Sequence, residues 1–502
     1  MRYILAEFDH RAESNMPTNR LEKWSLGRLR TALAASFVAG IATSSYSQDA
    51  IGAGGEQQLG FEVAFSPGSR DATGHFLGGT EIRSLVAHNG ELFAGNGYWM
   101  DRPGSEGFQG AEILVLDRPG GQWHVDHAFE GSMPSGIARN LTVGVMGETN
   151  FATDAIGKPL SEPVSMLLAS TWDLTGETRV FARDDASGAW TASTLAYAQR
   201  IPGAGRLPQV RSFGSHRDRI TGIDYVFAGQ DPNGIFAGVY DPMVPGRIRW
   251  SPTPELDVSA IPTADFPGME GRLRITGFSE CNGRIYASAG QQIYERIDGP
   301  IPHWRLIYTN RSPGRSETGL RGLTAVPRPE GSRQVLLAAV EGTESRIVRI
   351  DPIDGSEVTE LDLQNFLGAS WGMEVSYTIS AYNDMAKLRD PGGNDVLLIG
   401  LEAFIKRESP VPAGHTVSNI GHGQLESNAW YLIRWANGRY DLRRLPDRSD
   451  QSMVATRSIV ASPFPGDREG IYFAGFDANK APAHNTGWIL RSTIAAAIGR
   501  VH

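Results

Sequence analysis

From Glu81 to Phe129 apolar and polar positions alternate in short runs that predict four strands in series. Glu81–His88 alternates and is rich in β-formers, and Asn89-Gly90 after it is the strongest two-residue hairpin signal. Glu91–Gly95 returns, and Ala111–Asp117 follows a loop. Pro119-Gly120-Gly121 then turns the chain, and Trp123–Phe129 closes the set. One antiparallel sheet of this kind cannot bury both of its faces alone; copies arranged radially can.

The pattern recurs at roughly 55–65 residues. A second unit opens near Ile137 and continues through Val164–Thr171, Thr178–Arg183 and Ala189–Ala196. A third opens at Gln209 and continues through Ile223–Ala228, Gly234–Tyr240 and Arg247–Trp250. The fourth, from Leu273, repeats the Asn-Gly turn at Asn282-Gly283 before Arg284–Gly290, Gln292–Arg296 and Trp304–Tyr308. The fifth runs from Leu320 through Gln334–Val340, Arg346–Ile350 and Glu357–Leu363. The sixth, less regular, has Val375–Ala381, Asp395–Leu401, Trp430–Trp435 and Tyr440–Leu445, with Asn437-Gly438 between the last two. The seventh has Ala455–Ala461, Gly470–Gly475 and Gly487–Arg491, but its fourth strand is missing, because Thr493–Ile498 is Ala-rich and suits a helix. An orphan strand, Gln58–Phe65, resembles the fourth strands and is expected to complete the seventh unit, removing the exposed edges of an open stack.

Two features carry a family resemblance. One is the second-strand pattern of Glu91-Leu-Phe-Ala-Gly95, Arg284-Ile-Tyr-Ala-Ser288 and Ile471-Tyr-Phe-Ala-Gly475. The other is the entry into the fourth strand at Gly121-Gln-Trp123 and Gly188-Ala-Trp190. Over residues 58–491 the chain resembles the β-propeller superfamily, of the secreted kelch-like and sialidase-like kind. The resemblance implies an all-β fold, a β-propeller of about seven four-stranded blades closed by an N-terminal strand. It implies no activity, because such folds host many.

Composition narrows the partners. Among 502 residues there are 59 glycines and 29 prolines, and the formal charge is −9 with no basic stripe, so nucleic acid is not expected as a partner. Cys281 is the sole cysteine, which excludes an intrachain disulfide, and a structural thiol is expected there. Arg28 and Arg30 precede an apolar run from Ala32 to Ala42, and small and polar residues follow to Ser47. This order reads as a secretory signal over residues 1–47, with cleavage before Gln48 and Met16 as an alternative start. A single domain over 48–502 is then expected in a secreted or periplasmic, bacterial setting. No span is expected to cross a membrane after signal removal.

In such an architecture the loops after the second and fourth strands share one face. Here they are the long ones: Tyr98–Gly110, Ile201–Pro208, Ser251–Gly271, Glu402–Asn428 and Asp477–Thr486. A ligand site is expected on that face. Arg83, Arg139, Arg211, Arg321 and Arg457 recur at the entry of the first strands, while Arg274 with Thr276 and Tyr377 stand there in units four and six. A ring of guanidinium groups suits an anionic ligand, such as an acidic sugar. The alternative is that each pairs with an acid of a neighbouring unit. The expected function is an exported, non-catalytic propeller binding a ligand, glycan or protein. The second reading is a secreted, glycan-active hydrolase or lyase. The resemblance to sialidases implies for it an arginine cluster with Tyr377 as nucleophile beside Glu374. His415, His422 and His484 are weak metal candidates. Asp231-Pro-Asn-Gly234 and Asp477-Ala-Asn479 make calcium a candidate cofactor, although neither has the full alternating loop. No nucleophile elbow, P-loop or dinucleotide fingerprint is present.

Overall fold

The computed structural model describes residues 60–98, 110–134, 136–197, 208–259, 261, 263, 266, 273–329, 331–419, 424–426, 428–446, 453–476 and 485–499. All lie in one compact unit, Gln57–His502. The chain is all-β, and the strands fall close to where the alternation places them. Unit one is Glu81–His88, Glu91–Gly97, Glu112–Leu116 and His124–Ala128, each strand antiparallel to the next. Unit four is as regular: Ile275–Cys281, Arg284–Ala289, Gln292–Ile297 and His303–Thr309. The turns follow from residue chemistry. Asn89 (φ 49°) with Gly90 (φ 81°), and Asn282 (φ 51°) with Gly283 (φ 71°), both take the left-handed pair that a type I′ hairpin needs. At Asn437-Gly438 only the glycine is left-handed, so that turn is of another type.

Burial shows how the sheets stack. Along Glu91–Gly97, Leu92 and Ala94 pack with Tyr472, Ala474 and Ile489 of unit seven, while Phe93 packs with Val143, Met146 and Leu167 of unit two. The alternation therefore does not separate core from solvent. It separates two cores, one on each face of the sheet, which is why the second strands are buried throughout. Similar cores join units two to three, three to four, four to five, five to six and six to seven. A large side chain fully buried in such a core contributes about 1.5–3 kcal/mol. The first strands of units one to five lie in succession beside one another, and Ala455–Ala461 lies against Glu81–His88. The sheets are not seven separate ones. Single residue pairs, Phe476 with Glu81 and Gly97 with Thr142, fuse units seven, one and two into a twelve-stranded sheet.

The orphan strand, observed as Phe61–Phe65, pairs antiparallel with Gly487–Thr493. Ile494–Ile498 is helical. A second helix, Leu363–Trp371, precedes unit six and was not anticipated. Asp362 caps its start, Gly372 (φ 66°) ends it, and Leu363, Leu367 and Trp371, spaced four apart, bury one face. Cys281 is fully buried, and burial first, with Asp351 adding to it, pushes its thiol up to about 11. Among the described residues no helix is long and apolar enough to cross a membrane.

Candidate functional site

Each first strand carries a bulge near its start, where it pairs with the second strand. The register shifts fall between Ile82 and Ser84, Val210 and Ser212, Ile275 and Gly277, Val375 and Tyr377, and Thr456 and Ser458. The extra residue at three of these is an arginine: Arg83, Arg211 and Arg457. A bulge re-aims its residue, and two of these arginines meet around one side chain, Tyr382. Arg83 Nη2 donates to the Tyr382 hydroxyl, and its guanidinium lies 5.4 Å from the ring centroid. Arg457 lies 4.2 Å from it. Arg321, next to the bulge of unit five, lies 4.6 Å away and donates to the Tyr382 carbonyl at 2.8 Å. Desolvated contacts of this type are worth up to about 2 kcal/mol each.

Tyr382 reaches this position because the chain leaves Val375–Ser380 through Ala381, at φ 50°. Ala381 lies against Gly322, where a β-carbon would overlap its own, so the close approach requires glycine. Asn383 Nδ2 then donates to the Arg83 carbonyl at 2.6 Å. The segment from Ala381 to Asp384 thus bonds to units one and five and stacks on unit seven. Asp384 is exposed to solvent, yet burial among the surrounding groups pushes its carboxyl up to about 6.

The arginines are neutralised from within. Arg457 Nε donates to Glu81 at 2.8 Å, and its Nη1 is 2.6 Å from Glu402. Arg321 binds Glu341, and Thr318 at 3.0 Å. Arg83 stands 3.6 Å from Glu81, and Arg211 and Arg274 each stand 3.6 Å from Asp231, attractions longer than hydrogen bonds. Arg274 is also 3.7 Å from Glu317. Arg139 does not join them. It precedes Asn140–Thr153 rather than occupying a bulge, and it pairs with Asp173 and with Glu177 at 2.5 Å, its side chain partly exposed.

Two tyrosines here are driven in opposite directions. Burial works against ionisation of Tyr382, but Arg83, with Arg457 and Arg211 behind it, outweighs burial and holds its phenol below the ordinary value. Burial first, then Glu341, drives the Tyr377 phenol well above it. Tyr377 donates to Glu341 Oε1 at 2.5 Å and accepts from the Glu317 backbone N–H at 3.2 Å. A contact chain therefore runs Tyr377, Glu341, Arg321, Tyr382, Arg83. Glu374 is elsewhere, exposed and paired with Lys406 at 2.7 Å. The tyrosine–carboxylate pair in the structure is Tyr377–Glu341. Its acid lies in another unit, so no local motif announced it.

His415 bonds to Glu426 at 3.0 Å and stacks on Trp430, within a cage that also holds Asn428. His422, His484 and Asp477 lie outside the described residues. Among the described residues no three His, Cys, Asp or Glu side chains are grouped to hold a metal ion. The Asp231 carboxylate faces Arg211 and Arg274.

A second buried acid lies at the entry of the third strand of unit one. Glu112 bonds to His75 Nε2 at 2.8 Å, and its other oxygen has no hydrogen-bond partner. Burial, only partly offset by His75, pushes its carboxyl up to about 7 from an ordinary 4.5. The folded chain holds this proton longer than the unfolded chain, so stability falls as pH rises from about 4.5 through about 7. Glu112→Gln is therefore expected to gain up to about 3 kcal/mol over the parent at pH 8 and little at pH 4. Thermal unfolding at both pH values checks this, and an equal difference at each would refute it.

No family model matches the sequence, and no curated protein matches it. Among solved structures, a Trypanosoma rangeli sialidase in complex with the inhibitor DANA is similar at a TM-score of 0.36 and 10% identity, over 88% of this chain and 60% of that one. A Dyadobacter fermentans protein of unknown function is similar at a TM-score of 0.36 and 12% identity, over 87% of this chain and 100% of that one. A Bifidobacterium bifidum protein provisionally assigned as an exo-β-1,3-galactanase gives 0.28 and 12%, over 59% and 95%. This chain thus spans less than two thirds of the sialidase's length. Likeness at these values carries no argument about activity.

Proposed function

We propose that the chain is an exported β-propeller of about seven four-stranded blades that binds a polyhydroxylated ligand, a glycan, at the segment holding Tyr382 and Asp384. The cores shared between successive units, including that of units seven and one, support the ring. The order of basic, apolar and small residues before Gln48 supports export. One observation supports the binding reading: the exposed Asp384 follows Tyr382, which three arginines fix. Polar and aromatic groups brought together in this way suit a sugar's hydroxyls. The arginines enter this reading as the frame that orients Tyr382. A glycan array followed by calorimetric titration tests it. Tyr382→Ala is expected to lose at least about tenfold in affinity, and a wild-type chain that retains no glycan would sink the proposal.

The 2.5 Å hydrogen bond from Tyr377 to Glu341 favours a second reading, hydrolysis of the bound glycan. Tyr377→Phe would then abolish sugar release while leaving binding intact. Release unchanged in that variant excludes Tyr377 as the nucleophile.

A further inference from the structure

We infer that Arg274, Asp231 and Glu317 form a subsite that binds two neighbouring hydroxyls of a neutral sugar. The inference rests on the glycan-binding reading above and names its ligand class. Three other arginines of this chain use one edge, Nε with Nη2, to grip an acid by two hydrogen bonds. Arg434 takes Glu360 in this way at 2.7 and 2.8 Å, Arg296 takes Glu255 at 2.9 and 3.1 Å, and Arg183 takes Asp126 at 3.2 and 3.0 Å. The same edge of Arg274 is buried, and neither Nε nor Nη2 has a hydrogen-bond partner among the described residues. Its third nitrogen, Nη1, donates to Thr318 Oγ1 at 2.8 Å, which also accepts from Arg321 Nη2 at 3.0 Å. Arg274 is thereby tied to the frame around Tyr382.

The acids beside this edge stop short of it. Asp231 Oδ2 is 3.6 Å from Arg274 Nε, and Glu317 Oε2 is 3.7 Å from Arg274 Nη2. Asp231 Oδ2 is itself buried without a hydrogen-bond partner among the described residues. Buried donors and a buried acceptor held just out of contact call for a bridging group. An oxygen about 2.8–3.0 Å from both members of each pair supplies it. A ligand carboxylate accepts from the arginine edge but offers the acids nothing and brings like charge beside them. An ammonium donates to the acids but offers Arg274 no acceptor. A hydroxyl does both. The two pairs stand side by side, so hydroxyls on adjacent carbons fit them. Access is from the side of Glu317 and Arg211, whose side chains are 28% and 12% exposed, against 6% for Arg274 and 3% for Asp231.

The test uses the full chain on an array of neutral and acidic glycans. The array is read before and after periodate, which cleaves adjacent hydroxyls, with borohydride then reducing the aldehydes formed. Binding is expected on neutral glycans and is expected to fall at least about tenfold after periodate. Arg274→Lys keeps the charge but loses the two-donor edge, and is expected to lose about tenfold on the untreated array. Glu317→Ala, at a partly exposed side chain, is expected to lose about fivefold, with an unchanged melting temperature showing that the fold is kept. If Arg274→Lys does not fold, Glu317→Ala decides. Binding that survives periodate, a preference for acidic glycans, displacement of the glycan by inorganic sulfate, or full binding by Glu317→Ala overturns the inference and leaves the glycan-binding reading standing. A blank array overturns both.

Discussion

Arg457→Met is expected to lower folding stability by about 3–5 kcal/mol. The guanidinium is buried between Glu81 and Glu402, 2.8 Å and 2.6 Å away, with Tyr382 and Phe476 on its faces. Methionine fills much of the volume, so packing is nearly kept and the charge is lost. Glu402 then loses its cation, and Glu81 keeps only Arg83 at 3.6 Å. Burial already holds the Glu402 carboxyl above its ordinary value despite Arg457. Without the arginine its pKa rises further, so the loss is largest at pH 8 and shrinks toward pH 5 as the acid takes up a proton. Arg457→Lys restores little, because an ammonium cannot address two acids in one plane. Adding Glu402→Gln to the methionine variant should recover part of the loss. Urea unfolding at the two pH values gives all of these. A loss under about 1 kcal/mol at pH 8 would show that the centre tolerates unpaired acids and that the frame around Tyr382 is not held by this pair.

The second large effect lies in unit four. Arg296 has a fully buried side chain and binds Asp218 at 3.0 Å, Asp298 at 3.1 Å and Glu255 at 2.9 Å. Its faces rest on Tyr225 and Phe227, at 4.7 Å and 5.3 Å. Burial opposes the charge of Asp218, but backbone N–H groups of Thr221, Gly299 and Ile220, together with Arg296, hold its carboxyl at about 2. Arg296→Met takes the cation from buried Asp218 and from Glu255, while Asp298 keeps Arg219 at 2.9 Å, and is expected to lose about 3–5 kcal/mol. Unlike the axial variant, it should leave glycan binding by the remaining folded protein unchanged, because no described contact joins Arg296 to Tyr382. A fold that withstands the substitution with an unaltered unfolding midpoint would contradict this account.

The strands and their order were legible because alternation and Asn-Gly turns are local signals, and Asn89-Gly90 and Asn282-Gly283 behave as those signals require. The meaning of the alternation was not legible. Leu92 and Phe93 are equally apolar, and only the stacking of sheets reveals that they serve different cores. The arginine register was half legible. Arg83, Arg211 and Arg457 share a bulge, whereas Arg139 and Arg321 only sit near one, and a bulge is a property of two paired strands rather than of one. Tyr382, Asp384 and Glu341 were missed for a related reason. Ala381-Tyr382-Asn383-Asp384 reads as an ordinary loop until Gly322 opposite makes room for it. The helix Leu363–Trp371 could have been found from its four-residue apolar spacing, which the strand reading of Glu357–Leu363 overran.

The pairing of Phe61–Phe65 with Gly487–Thr493 also sets an order of events in folding. Glu62 and Arg491, which bond at 2.5 Å, are 429 positions apart in sequence. The first strand can find its partner only after nearly the whole chain exists, and until then Gly487–Thr493 keeps an open edge on that side. Contacts of such long sequence separation form late and slowly. The ends of this domain are thus its last seam, and a chain shortened by Phe61–Phe65 should complete its inner units and still leave a sticky edge exposed to other chains.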